Sequence, residues 1–148
     1  MLIYTGLLGK LGGNPKERSN MNEAQIIANA LFSETKDYED AKQIASVIIN
    51  RTKNPDRWGS TPTDVIMQPY QFSGVGGREW TKAKTQKFTE EEANIYKKFL
   101  QIGYQITKGT FETTTEANHY FNPKIAKPKW AEKMKKLEEN KYHSYYKD

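Results

Sequence analysis

The sequence predicts an α+β fold, in which a mainly helical lobe is completed by a small β element from the C-terminal third. Between residues 20 and 109, apolar residues recur at helical spacing and are separated by capping residues and prolines. After residue 110 the chain becomes rich in threonine and aromatic residues, which favour extended structure. The length of 148 residues, with 36% hydrophobic and 28% charged, fits one globular domain.

The first helix is predicted to begin near residue 20. Asn20, followed three residues later by Glu23, has the spacing of a capping box with asparagine as the N-cap. The apolar residues that follow have the i, i+3, i+4, i+7 spacing of one helix face: Ala24, Ile27, Ala28 and Leu31. This stripe predicts a helix that packs one face against the core.

Two further helices are predicted before residue 70. One spans about residues 39–51 and repeats the same apolar spacing. The segment KNPDRWGSTP that follows is predicted to be a loop. Thr61 as N-cap and Pro62 at the first helical position then predict a short helix that runs through Met67.

The segment YQFSGVGGREW, residues 70–80, is predicted to form a glycine-rich loop. Its SGVGG run is too short for a phosphate-binding loop and lacks the lysine of that motif. Thr89 and Glu92 then form a second capping-box pattern, which opens a long amphipathic helix. Gly109 is placed to end that helix as a left-handed cap.

The last third of the chain predicts the β element. The segment ETTTEANHYFNP is predicted to be extended, because threonine and aromatic residues favour strands. Residues 130–137 are predicted to form a short basic helix, and KYHSYYKD is predicted to be a terminal strand. Residues 1–20 form a separate N-terminal segment, and residues 21–148 form one domain.

The N-terminal segment does not resemble a secretory signal. Its apolar run has no basic residue before it and no small-residue cleavage site after it. We interpret it as a retained segment that either docks on a partner or packs on its own domain. The chain contains no run of about 18 apolar residues, so no membrane span is predicted.

Charge and composition limit the classes of function. The net charge of +5 and a pI near 9.2 favour polyanionic partners such as nucleic acid, anionic lipid or an anionic cell wall, although such an excess also serves solubility alone. The absence of cysteine excludes disulfides, thiolate zinc sites and cysteine nucleophiles.

Glu34 is the first candidate for chemistry. Continuing the apolar stripe of the first helix from Ile27 and Leu31 leads to this glutamate, so its carboxyl is expected beside the core. A partly buried carboxyl at the negative end of a helix dipole holds its proton more strongly, as a general acid requires. The alternative is that the helix ends earlier and Glu34 is a solvated surface residue.

The two histidines, His119 and His143, both lie among aromatic residues. Either is a candidate metal ligand or acid/base, but packed, hydrogen-bonded histidines are more common in such strands. The sequence lacks any close histidine pair of the H-E-x-x-H type. The aromatic residues of the C-terminal third alternate with lysines, a pattern that suits stacking on bases or sugar rings as well as core packing.

Several blocks resemble, in chain order, the motifs of SleB-type cell-wall hydrolases, a family of spore cortex-lytic enzymes and phage-borne relatives. The resemblance covers about residues 22–146. In the family block x-Y-G-E-A-R-G-E, Glu34 matches the first glutamate and Lys36 replaces the arginine. The second glutamate has no clean counterpart, since Tyr38 falls in register between Asp37 and Glu39. The matching blocks are ALFSETK, IASVIINRTKNP, VIMQPYQFS, ANHYFNP with PKW, and KYHSYY.

The resemblance implies a lysozyme/lytic-transglycosylase-like fold and an enzyme that cleaves the MurNAc–GlcNAc β-1,4 bond of peptidoglycan. Glu34 would be the single catalytic acid/base, forming a 1,6-anhydro product without a metal or other cofactor. Glycan strands would be its partner, and nucleic acid would not. The substrate-binding residues that the resemblance implies are Gln71, Phe72, Ser73, His119, Tyr120, Trp130 and His143.

Two other functions are consistent with the sequence. A zinc-dependent N-acetylmuramoyl-alanine amidase would use His119 and His143 as ligands. A non-catalytic wall- or nucleic-acid-binding domain would use the cationic, aromatic C-terminus. For the cell-wall enzyme we expect a phage origin. It would be either an endolysin released from the host cytoplasm or a virion lysin, docked to virion or tail proteins through residues 1–20.

Overall fold

The computed structural model describes residues 21–69, 72 and 74–148, in which six α-helices precede a three-stranded antiparallel sheet. This arrangement confirms the predicted α+β class. The predicted N-terminal segment, residues 1–20, lies outside the described residues. The elements are α1 (Glu23–Glu34), α2 (Tyr38–Thr52), α3 (Pro55–Trp58), α4 (Pro62–Met67), α5 (Arg78–Thr85), α6 (Glu90–Lys108), β1 (His119–Phe121), a 3₁₀ helix (Lys129–Lys133), β2 (Lys135–Glu139) and β3 (Ser144–Lys147).

Helix α1 lies at the centre of the core and is buried around most of its circumference. The long helix α6 crosses it so closely that a Cβ on Gly103 would lie 2.4 Å from the carbonyl oxygen of Ala24. The start of α1 corrects the predicted cap. Asn22 is the N-cap, and its side chain forms the capping box with Gln25, two residues beyond the predicted pair.

Three other predicted helix boundaries are confirmed. Helix α4 begins with Thr61 as N-cap and Pro62 in its first turn. Helix α6 begins with a capping box between Thr89 and Glu92, and it ends at Gly109 in the left-handed conformation, with φ of 75°. These signals succeed because each needs only residues within one turn of the helix end.

Two helices interrupt segments that were predicted to be loops. The one-turn helix α3 lies within KNPDRWGSTP, and α5 takes up the end of the glycine-rich segment. In α5 only Trp80 and Ala83 are buried, so its sequence carries a weak apolar pattern. Tertiary packing of Trp80 in the core therefore supplies the stability that local sequence does not indicate.

The sheet has the strand order β1-β3-β2, with both pairs antiparallel. The predicted terminal strand is confirmed as β3. The predicted basic helix at residues 130–137 is wrong, because a 3₁₀ helix ends at Lys133 and β2 follows. Strand β2 has no fully buried side chain, so its extended conformation depends on backbone pairing with β3.

Asparagine and arginine side chains at the end of α2 attach the sheet to the helical lobe. Asn50 Nδ2 donates to the carbonyl oxygens of Thr115 and Ala117, at 2.9 and 2.8 Å. The buried Arg51 donates through Nε to the carbonyl oxygen of Asn118 at 2.8 Å. These bonds hold the chain that enters β1, so they determine where the side chains of β1 lie.

In the described part of the chain, no helix is both long and apolar enough to cross a membrane.

Candidate active site

Glu34 is the last residue of α1, and its side chain is partly exposed at the edge of the core. Its Oε1 accepts a hydrogen bond of 2.5 Å from the hydroxyl of Tyr120 on β1. The carboxylate therefore lies where the end of the central helix meets the first strand. This position agrees with the expectation that Glu34 continues the apolar stripe of α1 to the boundary of the core.

The chain leaves α1 immediately after this glutamate. Thr35 is the C-cap in extended conformation, and its N–H donates to the carbonyl oxygen of Leu31 at 2.9 Å. Lys36 Nζ donates to the carbonyl oxygen of Phe32 and lies 3.1 Å from Glu79 on α5. A lysine thus satisfies a terminal carbonyl of α1, where a cation is electrostatically favourable.

Gly74 of the glycine-rich segment lies beside Oε2 of Glu34, the carboxylate oxygen that Tyr120 does not bind. A Cβ built on Gly74 would lie 2.7 Å from Ser33 Oγ and 3.0 Å from Glu34 Oε2. Only glycine leaves room for the carboxylate at this distance. The predicted substrate-binding residues Gln71 and Ser73, which precede Gly74 in sequence, lie outside the described residues.

Tyr120 is completely buried, and its hydroxyl contacts Glu34. Burial, reinforced by the charge of Glu34, raises the pKa of the Tyr120 hydroxyl well above its usual value. The hydroxyl therefore stays protonated and acts as a permanent donor to the carboxylate. Tyr145 stacks on its ring at 5.6 Å between centroids, and His143 packs edge-on at 5.1 Å.

Asp40 is a buried carboxylate that sequence reasoning missed. Its side chain is fully buried, and Oδ2 lies 2.8 Å from His143 Nδ1. Its Oδ1 accepts bonds from Tyr145 at 2.6 Å and from Asn140 at 2.8 Å. Burial alone would raise the pKa of Asp40, but these hydrogen bonds and the charge of His143 hold it below its usual value. The group is therefore a carboxylate at neutral pH.

A signal for Asp40 was present in the sequence. It lies four residues before Ile44, so it extends the apolar stripe of α2 in the same way that Glu34 extends that of α1. The two other acidic residues in this turn have local roles. Asp37 caps α2 by accepting from the N–H of Asp40 at 2.9 Å, and Glu39 forms a surface ion pair with Lys42.

His119 and Trp130 lie on the other face of the sheet from Tyr120. Successive residues of a strand point to opposite faces, so His119 faces away from the side that Tyr120 presents to Glu34. The His119 ring packs between Trp58 and Trp130, with centroids 5.8 and 5.0 Å away. Burial, together with the charge of Arg51, lowers the pKa of His119 to about 4, so the ring is neutral at neutral pH.

The structure assigns packing contacts to two other predicted substrate-binding residues. Phe72 is 1% exposed and belongs to the hydrophobic core, so no surface of it is open to a sugar ring. His143 is buried beside Asp40, although its edge-on contact with Tyr120 links it indirectly to Glu34. Of the predicted residues that the structure describes, Tyr120 is the one that hydrogen-bonds Glu34.

The two histidines therefore do not meet. His119 and His143 belong to opposite faces of the sheet, and each has its own partners. Within the residues that the structure describes, no three histidine, cysteine, aspartate or glutamate side chains converge as metal ligands. The arrangement around Glu34 is instead that of one partly exposed carboxylate with a fixed hydrogen-bond donor, which suits proton transfer to and from a bound substrate.

Solved structures with this fold include two bacterial cell-wall enzymes. One is the catalytic domain of the germination-specific lytic transglycosylase SleB from Bacillus anthracis. It has a TM-score of 0.61 at 23% identity, over 87% of this chain and 98% of that chain. The catalytic domain of the Bacillus cereus SleB protein has a TM-score of 0.57 at 22% identity, over 96% and 98%. The predicted lytic-transglycosylase-like fold is thus confirmed.

The family model described as Cell Wall Hydrolase matches residues 35–146, more than two thirds of the chain. The chain therefore belongs to the cell wall hydrolase family, which confirms the family that its motifs resemble. The match begins at Thr35, directly after Glu34. No curated protein sequence matches the chain. Membership of this family makes the protein an enzyme of cell-wall degradation.

Proposed function

We propose that this protein cleaves the β-1,4 bond between MurNAc and GlcNAc in peptidoglycan, with Glu34 as the single acid/base. The observation that carries the proposal is the placement of Glu34. It ends the central helix of a cell wall hydrolase, is partly exposed, and has one oxygen held at 2.5 Å by the buried hydroxyl of Tyr120. A carboxylate held in this way has one defined orientation toward a bound glycan.

The proposed reaction begins with Glu34 in its protonated form. Tyr120 donates to Oε1, and Oε2 lies beside Gly74; we assign the transferred proton to Oε2. Glu34 gives this proton to the glycosidic oxygen as the C1–O bond breaks, and positive charge develops on the sugar ring. The C6 hydroxyl of the same MurNAc then attacks C1 and returns its proton to Glu34. The products are a 1,6-anhydro end and a free 4-hydroxyl, with no water consumed.

We infer transglycosylation rather than hydrolysis because, among the described residues, the two acidic side chains Asp37 and Asp40 that follow Glu34 in sequence are both engaged in other hydrogen bonds. A two-carboxylate glycosidase needs its partner at about 5–5.5 Å for retention or about 6.5–9.5 Å for inversion. Asp40 is fully buried and accepts hydrogen bonds from three side chains, which leaves it no access to water or substrate. Asp37 is occupied as the cap of α2.

The test is the variant Glu34→Gln, assayed on purified peptidoglycan with the products analysed by mass spectrometry. We expect loss of glycan cleavage by at least about a hundredfold, because the amide neither donates nor accepts the transferred proton. Glu39→Gln is the matched control, since that residue makes only a surface ion pair with Lys42. Retained cleavage by Glu34→Gln would refute the catalytic assignment.

The products distinguish the finer alternatives. Anhydro-MurNAc ends support transglycosylation, whereas reducing MurNAc ends would show hydrolysis. Release of free peptides, abolished by a chelator, would indicate an amidase instead. For Gln71, Ser73, His119 and Trp130, the substrate contacts that the family resemblance implies would raise the Michaelis constants of the alanine variants.

We also propose that the protein acts as a phage lysin, either as an endolysin or as a component of the virion. The two settings predict different locations for the protein. Detection of the protein in purified virions would favour the virion lysin, with residues 1–20 as the docking segment. Presence only in lysates of infected cells would favour the endolysin.

A further inference from the structure

The Asp40 cluster, formed by Asp40, Asn140, His143 and Tyr145, takes no direct part in the proposed reaction, yet the carboxylate of Asp40 is fully buried and bonded to three side chains. Asp40 is paired with the 3% exposed His143 and also binds Tyr145 and Asn140. Burying a carboxylate costs desolvation free energy, and apolar residues of similar volume often stabilise a fold as well or better. The cluster therefore calls for an explanation besides stability.

His143 and Tyr145, which both bind Asp40, also both contact Tyr120. The His143 ring packs edge-on against Tyr120 at 85° between ring planes, and the Tyr145 ring stacks on Tyr120 at 23°. Tyr120 thus lies against two rings, and each of them is hydrogen-bonded to Asp40 through its polar end. The carboxylate is therefore a hydrogen-bond partner that both rings share.

Tyr120 in turn determines the position of Glu34. Its hydroxyl is the donor to Oε1 at 2.5 Å, and its ring has no freedom to move because it is completely buried. A displacement of His143 or Tyr145 by a few tenths of an ångström would therefore move the hydroxyl relative to the carboxylate. Reaction rates depend steeply on such placement, and a misplacement of about 1 Å can cost about a hundredfold.

We propose that Asp40 is a positioning residue for catalysis, which acts through His143 and Tyr145 to hold the Tyr120 hydroxyl on Glu34. The proposal rests on the proposed role of Glu34 as acid/base. It differs from a purely structural role, in which Asp40 only attaches the sheet to α2. A structural role predicts lost stability alone, and a positioning role predicts a lower turnover number in molecules that remain folded.

The kinetic test uses Tyr145→Phe and Asp40→Asn. Tyr145→Phe keeps the ring and removes only the hydroxyl that bonds Asp40, so it should fold even if Asp40→Asn does not. We expect kcat on peptidoglycan to fall about fivefold for Tyr145→Phe and about tenfold or more for Asp40→Asn, with KM unchanged, because the glycan does not contact these residues.

Tyr96→Phe is the matched control for Tyr145→Phe. Tyr96 is also buried, and its hydroxyl also makes a 2.6 Å bond, in this case to Asn29 on α1. Its removal should lower the melting temperature by a similar amount while kcat stays within about twofold of the wild type. An equal fall in kcat for Tyr96→Phe and Tyr145→Phe would overturn the proposal, because general loosening would then explain both.

A double-mutant cycle tests the route of the effect. If Asp40 acts through the Tyr120 hydroxyl, Tyr145→Phe should lower kcat about fivefold in the wild type but by less than twofold in the Tyr120→Phe background. Fully additive losses would overturn the proposal, because the two residues would then act independently.

A spectroscopic measurement separates this proposal from the proposed function. In the full chain with ¹³C-labelled tyrosine, the Cζ resonance of Tyr120 reports its bond to Glu34. We expect this resonance to shift in Tyr145→Phe and to remain in place in Tyr96→Phe. An unmoved resonance would overturn the positioning role. This measurement does not depend on activity, so it tests the contact between Asp40, Tyr145 and Tyr120 by itself. If the wild-type protein does not cleave glycan, only the proposed function is refuted.

Discussion

The two faces of β1 differ in chemistry although their residues are neighbours in sequence. Tyr120 faces a polar, hydrogen-bonded region that contains Glu34 and Asp40. His119 and Phe121 face an aromatic cluster instead, formed with Trp58, Trp130 and Tyr146. The first face orients a carboxylate, and the second attaches the 3₁₀ helix and β3 to the strand.

This difference shows that residues next to one another in a sequence motif need not lie in the same site. The block ANHYFNP resembles one functional unit in sequence, but the alternation of a strand sends its members to opposite sides of the sheet. We therefore expect conservative substitutions on the Tyr120 face to lower activity in molecules that remain folded. Substitutions on the His119 face should lower stability with little loss of activity.

The largest expected effect is a loss of stability at acidic pH, caused by His119 on the aromatic face of β1. The folded-state pKa of about 4 lies below the unfolded value of about 6.5, so the unfolded chain binds a proton first as pH falls. The unfolding free energy should therefore drop by about 2–3 kcal/mol between pH 6.5 and pH 4. Denaturant titrations at several pH values would measure this drop.

His119→Phe provides the comparison for that titration. The phenyl ring keeps the packing between Trp58 and Trp130 but has no group to protonate. Its stability should fall less on acidification, with the remaining loss caused by carboxylates such as Asp40 whose pKa is held low. Identical acid sensitivity in the wild type and the variant would contradict the prediction.

The next largest expected effect is a loss of catalytic activity, caused by a substitution on the Tyr120 face of β1. Tyr120→Phe removes the donor to Glu34, and a hydrogen bond to a charged group is worth about 2 kcal/mol, which corresponds to roughly thirtyfold in rate. We expect kcat on peptidoglycan to fall by that factor in molecules that remain folded, with a lower melting temperature because the same bond is lost from the folded state. Tyr146→Phe, on the other face of the same sheet, is the control and should retain full activity. Loss of activity in both variants would remove the distinction between the faces.

Trp130→Ala tests whether the aromatic cluster also touches the substrate. The half-buried indole contacts His119, Phe121 and Tyr146, so its loss should lower the unfolding free energy by about 1–2 kcal/mol. We expect an unchanged KM for glycan in the folded variant. A several-fold rise in KM would restore the sugar contact that the family resemblance implies for Trp130.

The smallest expected effect concerns the loop over Glu34. Gly74→Ala would place a methyl group 2.7 Å from Ser33 Oγ and 3.0 Å from Glu34 Oε2, so both side chains must shift. We expect kcat to fall about fivefold, a change of about 1 kcal/mol. Adding Ser33→Gly should recover part of the loss by removing one of the two contacts. No effect on kcat would show that Glu34 tolerates displacement on this side.

Local spacing drew attention to Glu34 but left open that it is a solvated surface residue, and the family resemblance supplied its expected catalytic role. The apolar stripe of α1 carries the carboxylate to the edge of the core, whatever the rest of the chain does. The same reasoning would have located Asp40 on α2, but the blocks of the family resemblance directed attention to Asp37 and Glu39. The partners of both carboxylates lie about 86 to 105 residues away in the chain, beyond any local pattern.

The cap residues Thr61, Thr89 and Gly109 and the family resemblance were readable from the sequence, because they depend on residues within a few positions of one another or in a linear order. Only the tertiary structure decided which face of β1 meets Glu34. That choice depends on the side-chain bonds of Asn50 and Arg51, which hold the chain entering β1. It also depends on the register of β1 with β3, in which Tyr120 pairs with Tyr145. Such long-range contacts form only when the helical lobe and the sheet pack together.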